Sequence, residues 1–175
     1  MDSLFHVGGK PFFSIGGQLN NSTSSDPALT EKAFKTCVGL GLNTVAAPVH
    51  WELFEKEEGA YDFAQIDMLM ELARRSGLRL VVLWFGTWKN GNSHYVPEWV
   101  KLQKERFLWA KANDGAEIRA LSPTCEETKK ADMRAFCELC GHIARNNADG
   151  CVIGIQIENE PGLIGAARDY SPQST

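Results

Sequence analysis

The residues best equipped for chemistry lie together in Gln156-Ile157-Glu158-Asn159-Glu160, two carboxylates two positions apart with an amide between them. They close an apolar run, Val152 to Ile157, that reads as a strand. Strand side chains alternate, so Gly154, Gln156, Glu158 and Glu160 share one face, with Ile153, Ile155 and Ile157 on the other. Two carboxylates so placed repel when both are ionised. That raises the pKa of one of them, which suits a general acid near neutral pH. The same two residues would equally suit satisfied ion pairs in a core, and residue physics alone leaves both readings open.

The elements that must position this run are legible from spacing. Leu4 to Val7, Gly8-Gly9 and Pro11 to Ile15 read as a short hairpin, because glycines supply the positive φ of tight turns. Asp26-Pro27 is a helix start, with Asp as cap and Pro at the first helical position, and that helix should stop at Gly41. Asn43 to Val49 is a β-branched strand, and His50 to Gly59 a polar, aromatic loop. Asp62 to Ser76 is helical, with Ile66, Leu69, Met70 and Ala73 on one face and Gly77 at its end. Leu78 to Phe85 is nearly all apolar, as expected of a parallel strand covered on both faces. A long segment, 86–127, precedes a helix from about Lys129 to Asn146.

Strand, loop and helix recurring in this order predict an α/β fold with a parallel sheet. The turns that enter strands are short and carry Gly, whereas the segments leaving them are long and rich in Trp, Asn, His and Glu. In α/β barrels the C-terminal ends of the strands carry the chemistry. A doubly wound sheet would show the same element order, but Gly16-Gly17 does not extend to the G-x-G-x-x-G phosphate turn of that class.

Composition narrows the function. The 175 residues are 43% hydrophobic and 23% charged, enough for one domain with a core. A net charge of -4 without Lys/Arg clusters argues against nucleic acid and anionic membranes as partners. No apolar run approaches the roughly 20 residues that span a bilayer. The start lacks the basic and apolar regions of a secretory signal, and five cysteines at irregular spacing suggest no disulfide framework; both favour the cytoplasm. Cys137-x-x-Cys140 with His142 lacks the second ligand pair of a structural zinc site, so helix packing is expected there, with no metal and no cofactor.

Ile153-Gly154-Ile155-Gln156-Ile157-Glu158-Asn159-Glu160-Pro161-Gly162 resembles the Q-x-E-N-E signature of glycoside hydrolase family 35, the β-galactosidases of clan A. The likeness runs along the chain. Gly9-Lys10-Pro11-Phe12 is similar to the family's opening hairpin, and the stretch from Trp51 to Phe63 to its W-x-x-x-E-P-x-x-G-x-[YF]-D-F segment. Leu83 to Gly91 and Tyr95 to Trp99 resemble a bacterial and fungal subgroup. Lys56 departs from the usual Pro, Glu52 from the usual Asn, and the third-strand loop lacks a Cys-Ala-Glu-Trp run.

The resemblance implies a partial (β/α)8 TIM barrel, about its first four strands, preceded by a β-hairpin, over 1–175. It implies a carbohydrate partner, a β-galactoside or plant-type oligosaccharide. It also implies a retaining mechanism with Glu160 as acid/base and a second carboxylate roughly 5–5.5 Å away as nucleophile. Asn159 would hydrogen-bond the sugar 2-hydroxyl. Strict alternation points it away from Glu160, so a twist or bulge is expected at the strand end. The family places its nucleophile on a seventh strand. Four are legible, so the expectation is a chain truncated after the fourth, inactive alone and open to self-association through its edges. Sugars stack on indoles, which makes Trp84 and Trp88 candidates for substrate binding, with Trp51, Glu52, Asn90 and Asn20 beside them on strand-end loops. Trp99 is expected to pack on a short helix, and Trp109 to be structural.

Overall fold

The computed structural model describes residues 4–174. A two-residue hairpin, β1 (His6–Val7) and β2 (Lys10–Pro11), opens the chain. Then come β3 (Gly16–Gln18), α1 (Pro27–Gly39), β4 (Thr44–His50), the single turn α2 (Trp51–Phe54), α3 (Ala64–Ser76) and β5 (Arg79–Lys89). The segment after β5 holds α4 (Glu98–Leu102) and an antiparallel pair, β6 (Trp109–Lys111) with β7 (Glu117–Leu121). Helix α5 (Glu126–Asn146) leads into β8 (Val152–Asn159).

Four strands make one parallel sheet in the order β3-β4-β5-β8. The order follows the chain and never reverses. A doubly wound sheet reverses at its switch point, so the strand order favours the barrel arrangement.

The chain divides into two compact units. The first comprises Met1–Val49, Phe63–Leu83 and Cys140–Gln156. Its α1 begins where sequence places it: the Asp26 carboxylate accepts from Ala28 N at 2.8 Å and Leu29 N at 3.0 Å, and Pro27 follows. Ile66, Leu69, Met70 and Ala73 are all buried, and α3 ends on Gly77 at φ +66. Phe34, Val45, Ala47, Leu80 and Val82 complete the core. His142 belongs here, stacked on Phe63 and bonded to Asp67 at 2.6 Å.

The second unit comprises His50–Asp62, Trp84–Leu139 and Ile157–Thr175. Its core is aromatic: Trp51, Phe54, Trp84, Phe85 and Phe107 are fully buried. Trp84 and Phe54 meet edge to face with centroids 5.7 Å apart, and so do Trp99 and Phe107 at 5.4 Å. Glu55, 1% exposed, binds this cluster together. Its carboxylate accepts from Trp51 Nε1 and from Gly59 N, each at 2.7 Å, and its backbone carbonyl accepts from Trp99 Nε1. Burial raises the Glu55 pKa against those hydrogen bonds. Glu58 lies at the surface in a two-pronged pair with Arg106, both contacts 2.7 Å, and Arg106 lowers its pKa.

Candidate active site

The end of β5 and the end of β8 are fastened residue by residue within the second unit. Thr87 N donates to Glu158 Oε1 at 2.9 Å, and Trp88 N to Glu158 Oε2 at 2.7 Å. Lys89 Nζ donates to Asn159 Oδ1 and, at 2.6 Å, to Asn90 Oδ1. Asn90 N donates to the Asn159 carbonyl at 3.1 Å, and Gly91 N to the Glu160 carbonyl at 2.9 Å. Thr87, Trp88, Lys89, Asn90 and Gly91 thus hold Glu158, Asn159 and Glu160.

Local sequence explains the fastening. Asn90 at φ +53 and Gly91 at φ +65 form a tight turn, closed by Lys89 N donating to Asn92 O at 2.8 Å. Two consecutive positive φ values mark the Asn-Gly type I′ turn, in which neither residue suffers the Cβ penalty that most would. The turn aims two adjacent amides at β8. A Cβ on Gly91 would lie 2.7 Å from Ile164, so glycine also admits the following loop.

On β8, Glu158 at φ +60 and Glu160 at φ +51 leave extended geometry. The expected irregularity at the strand end is therefore a pair of left-handed residues, and the strict alternation of Glu158 with Glu160 breaks there. Glu158 turns inward to Asp132 on α5, with which it shares a hydrogen bond, while Glu160 is exposed. The raised carboxyl of the run is Glu158. Burial and then Asp132, not Glu160, push it up to about 10, against the backbone bonds from Trp88 and Thr87. Asp132, 9% exposed, accepts from Trp84 Nε1 at 2.8 Å, Thr87 N at 2.9 Å and Thr87 Oγ1 at 2.5 Å. Thr87 N points at one oxygen of each carboxyl. Glu158 therefore carries a proton at neutral pH.

Lys89 is 7% exposed, an unusual place for an ammonium. Its Nζ lies 4.9 Å from the Phe85 ring centroid, and it makes no ion pair among the described residues. Burial lowers its pKa, and the charge of Glu160 raises it.

The remaining candidates are dispersed. Trp84 and Trp51 are corrections: each is 0% exposed, with its indole N–H committed to Asp132 and Glu55 respectively, so neither has a face to offer a sugar. Trp88 is half-buried and lines a cavity of about 330 Å³ with Met133, Phe136 and Ile157. Its Nε1 has no partner among the described residues. Asn90 is exposed in the turn beside Asn159. Glu52, on α2, pairs with Lys101 at 3.3 Å. Asn20 belongs to the first unit, exposed, its carbonyl accepting from Thr23 N at 3.0 Å. Sequence reasoning passed over Lys89, Thr87 and Asp132. Asn90-Gly91 was the one local signal of the clamp; Asp132 carries none, because its partners are distant in sequence.

The model of glycosyl hydrolases family 35 matches residues 4–175. The chain belongs to that family. Its curated relatives include a β-galactosidase from Xanthomonas manihotis, 24% identical over 157 residues, and an exo-β-D-glucosaminidase from Pyrococcus horikoshii, 28% identical over 140. These matches cover 88% and 69% of this family 35 chain, which spans 24% and 17% of the relatives' lengths. Among solved structures, an exo-β-1,4-mannosidase from Opitutaceae bacterium strain TAV5 superposes with a TM-score of 0.65 at 19% identity, over 91% of this chain and 27% of its own. The catalytic domain of a β-amylase from Paenibacillus polymyxa gives 0.59 at 21%, over 80% and 35%. The fold of the family 35 chain is that of a partial (β/α) barrel.

Proposed function

We propose that this chain carries the acid/base half of a retaining β-glycosidase of β-galactosidase type, with Glu160 as the acid/base and Asn159 as the ligand of the sugar 2-hydroxyl. In this reading the Glu160 carboxyl gives its proton to the glycosidic oxygen as the bond to the anomeric carbon breaks. A nucleophilic carboxylate on a later strand forms the glycosyl ester. Glu160 then takes a proton from water as water displaces that ester. The observation that carries the reading is the clamp. Residues 87–91 fix Glu158, Asn159 and Glu160, leaving an exposed carboxylate at a strand end beside a buried cation. Family membership and the galactosidase relative support the same chemistry.

A 2-amino sugar is the second reading, favoured by the glucosaminidase relative. The test takes the full-length protein that contains this chain and measures hydrolysis of 4-nitrophenyl β-D-galactoside, β-D-glucosaminide and β-D-mannoside. The galactoside should be the best substrate. Glu160→Gln should lose about 10²–10⁴-fold in rate, the usual contribution of general acid–base catalysis. Azide should restore turnover and yield a glycosyl azide of unchanged anomeric configuration. A fully active Glu160→Gln variant would overturn the assignment.

A further inference from the structure

The buried lysine is not needed to protonate or to attack anything in the chemistry above, yet it touches the residue assigned to the sugar. An ammonium has three donors and no acceptor. Lys89 Nζ can therefore face only the oxygen of an amide, and it faces two: Asn159 Oδ1 and Asn90 Oδ1. The amide flip of Asn159, ordinarily a choice between two similar orientations, is settled here by charge. With Oδ1 held by Lys89, Asn159 Nδ2 is the atom left for a ligand, and it donates to no group among the described residues. The Asn159 backbone is held from the same side, by Asn90 N on its carbonyl. Side chain and backbone of Asn159 are thus both held from the end of β5.

This arrangement has a consequence for the ligand. We propose that Lys89 is a positioning residue that, through Asn159, reserves the site for sugars with a hydroxyl at C2 and rejects those with an ammonium there. The inference rests on the glycosidase reading and deepens it. A hydroxyl accepts the Nδ2 donor. A protonated 2-amino group has only donors of its own, so it meets N–H against N–H with a buried cation behind. A site built to donate discriminates strongly against a group that cannot accept, because the buried donor is left unpaired. The charged neighbours of Lys89 leave this sign unchanged. Glu160 is the one carboxylate whose charge acts on it appreciably, and Glu160 has its own partner in the leaving-group oxygen.

The experiment compares 4-nitrophenyl β-D-galactoside with its 2-deoxy and 2-amino-2-deoxy counterparts, at a pH where the amine is protonated. Wild type, Lys89→Met and Asn159→Asp are assayed in the full-length protein. Wild type should lose about 100-fold or more in kcat/KM from 2-hydroxy to 2-deoxy, and the 2-amino sugar should be no better than the 2-deoxy one. In Lys89→Met the 2-hydroxy preference should shrink below about 10-fold, because Asn159 no longer has a fixed donor. Asn159→Asp guards against misfolding. It keeps the Lys89 contact as an ion pair, loses the donor, and should raise the 2-amino rate above the 2-deoxy rate.

A Lys89→Met variant that slows all three substrates by one common factor, or leaves their ratios unchanged, overturns the inference while Glu160 keeps its role. An Asn159→Asp variant that still rejects the 2-amino sugar overturns it too. A wild type inert towards all three substrates overturns the inference together with the reading beneath it.

Discussion

Two carboxyl sites in the second unit behave in opposite ways. Asp169, 3% exposed, accepts five hydrogen bonds: Lys111 N and Ser171 N on Oδ1, and the hydroxyls of Ser122, Ser171 and Ser174 on Oδ2. Burial pushes its pKa up, but those donors, Ser122 first, hold it well below the ordinary aspartate value. Glu158 has two backbone donors and a second carboxyl for company, and it is pushed up to about 10. Burial raises both pKa values and is the largest push on Glu158, so the two sites differ in what opposes burial or adds to it. A ring of donors outweighs burial and keeps Asp169 an anion, whereas burial and then Asp132 keep Glu158 an acid. The anion ties the loop after β8 to the β6–β7 hairpin, and the acid fixes the kink from which Asn159 and Glu160 extend.

The contrast is broken most visibly by pH. The folded pKa of Glu158 lies above its unfolded value near 4.5. Its contribution to stability is therefore complete below about pH 4.5 and is lost as pH rises towards 10. Asp169 runs the other way. Its folded pKa is depressed, so its contribution is present above about pH 3.8 and lost as pH falls below it. Urea unfolding from pH 3 to 9 should show both limbs. Glu158→Gln should flatten the alkaline limb alone, and Asp169→Asn the acid limb alone. An alkaline limb that survives in Glu158→Gln would assign that proton elsewhere.

Deleting the anion comes next in size. Asp169→Ala strands two backbone N–H groups and removes the acceptor of three hydroxyls, and should cost about 3 kcal/mol at neutral pH. Asp169→Asn should cost about 1 kcal/mol, because Oδ1 can keep both backbone donors while serine hydroxyls rotate to accept. Gly86→Ala tests the acid site without touching a carboxyl. Its Cβ would meet both Asp132 oxygens at 2.7 Å and Trp84 Nε1 at 2.4 Å. Separating those groups should cost about 2 kcal/mol, read by urea unfolding. Unchanged stability would mean that the carboxyl pair has slack.

The two sites were unequally legible in the sequence, and so was the fold around them. Asp26-Pro27, Gly77 and the buried face of Ile66, Leu69, Met70 and Ala73 depend on local geometry, and each is where spacing predicts it. Helix α2 is one turn long, too short for periodicity to register inside an aromatic loop. Strand β5 reads as ending at Phe85 and continues to Lys89. Gly86, Thr87 and Lys89 look like loop residues until their partners on β8 and α5 are in place. The β6–β7 hairpin was announced only by Asp114-Gly115, with Gly115 at φ +84. Trp51 and Trp84 misled because an indole beside a strand end looks the same in sequence whether it faces a cleft or a carboxylate in the core. The spacing predicts that repulsion between Glu158 and Glu160 raises one carboxyl; Glu158 is raised, but by burial first and then by Asp132, far away in the chain.

The smallest effect distinguishes the two members of the acid pair. With one proton on Glu158, Glu158→Gln is close to isosteric with the native state. Its Oε1 can keep Trp88 N and its Nε2 can donate to Asp132, at the cost of the Thr87 N contact alone, and Thr87 N retains Asp132 Oδ2 at 2.9 Å. Asp132→Asn is not equivalent. Trp84 Nε1 donates to Oδ1, and Thr87 N and Oγ1 donate to Oδ2, so an NH2 on either side faces a donor. At pH 5, where ionisation contributes little, Asp132→Asn should be about 1 kcal/mol less stable than Glu158→Gln. Equal stabilities would place the proton midway between the carboxyls. The reverse order would make Asp132 the acid and Glu158 the anion, and the kink at Glu158 would then be held by a charge bound to two backbone amides.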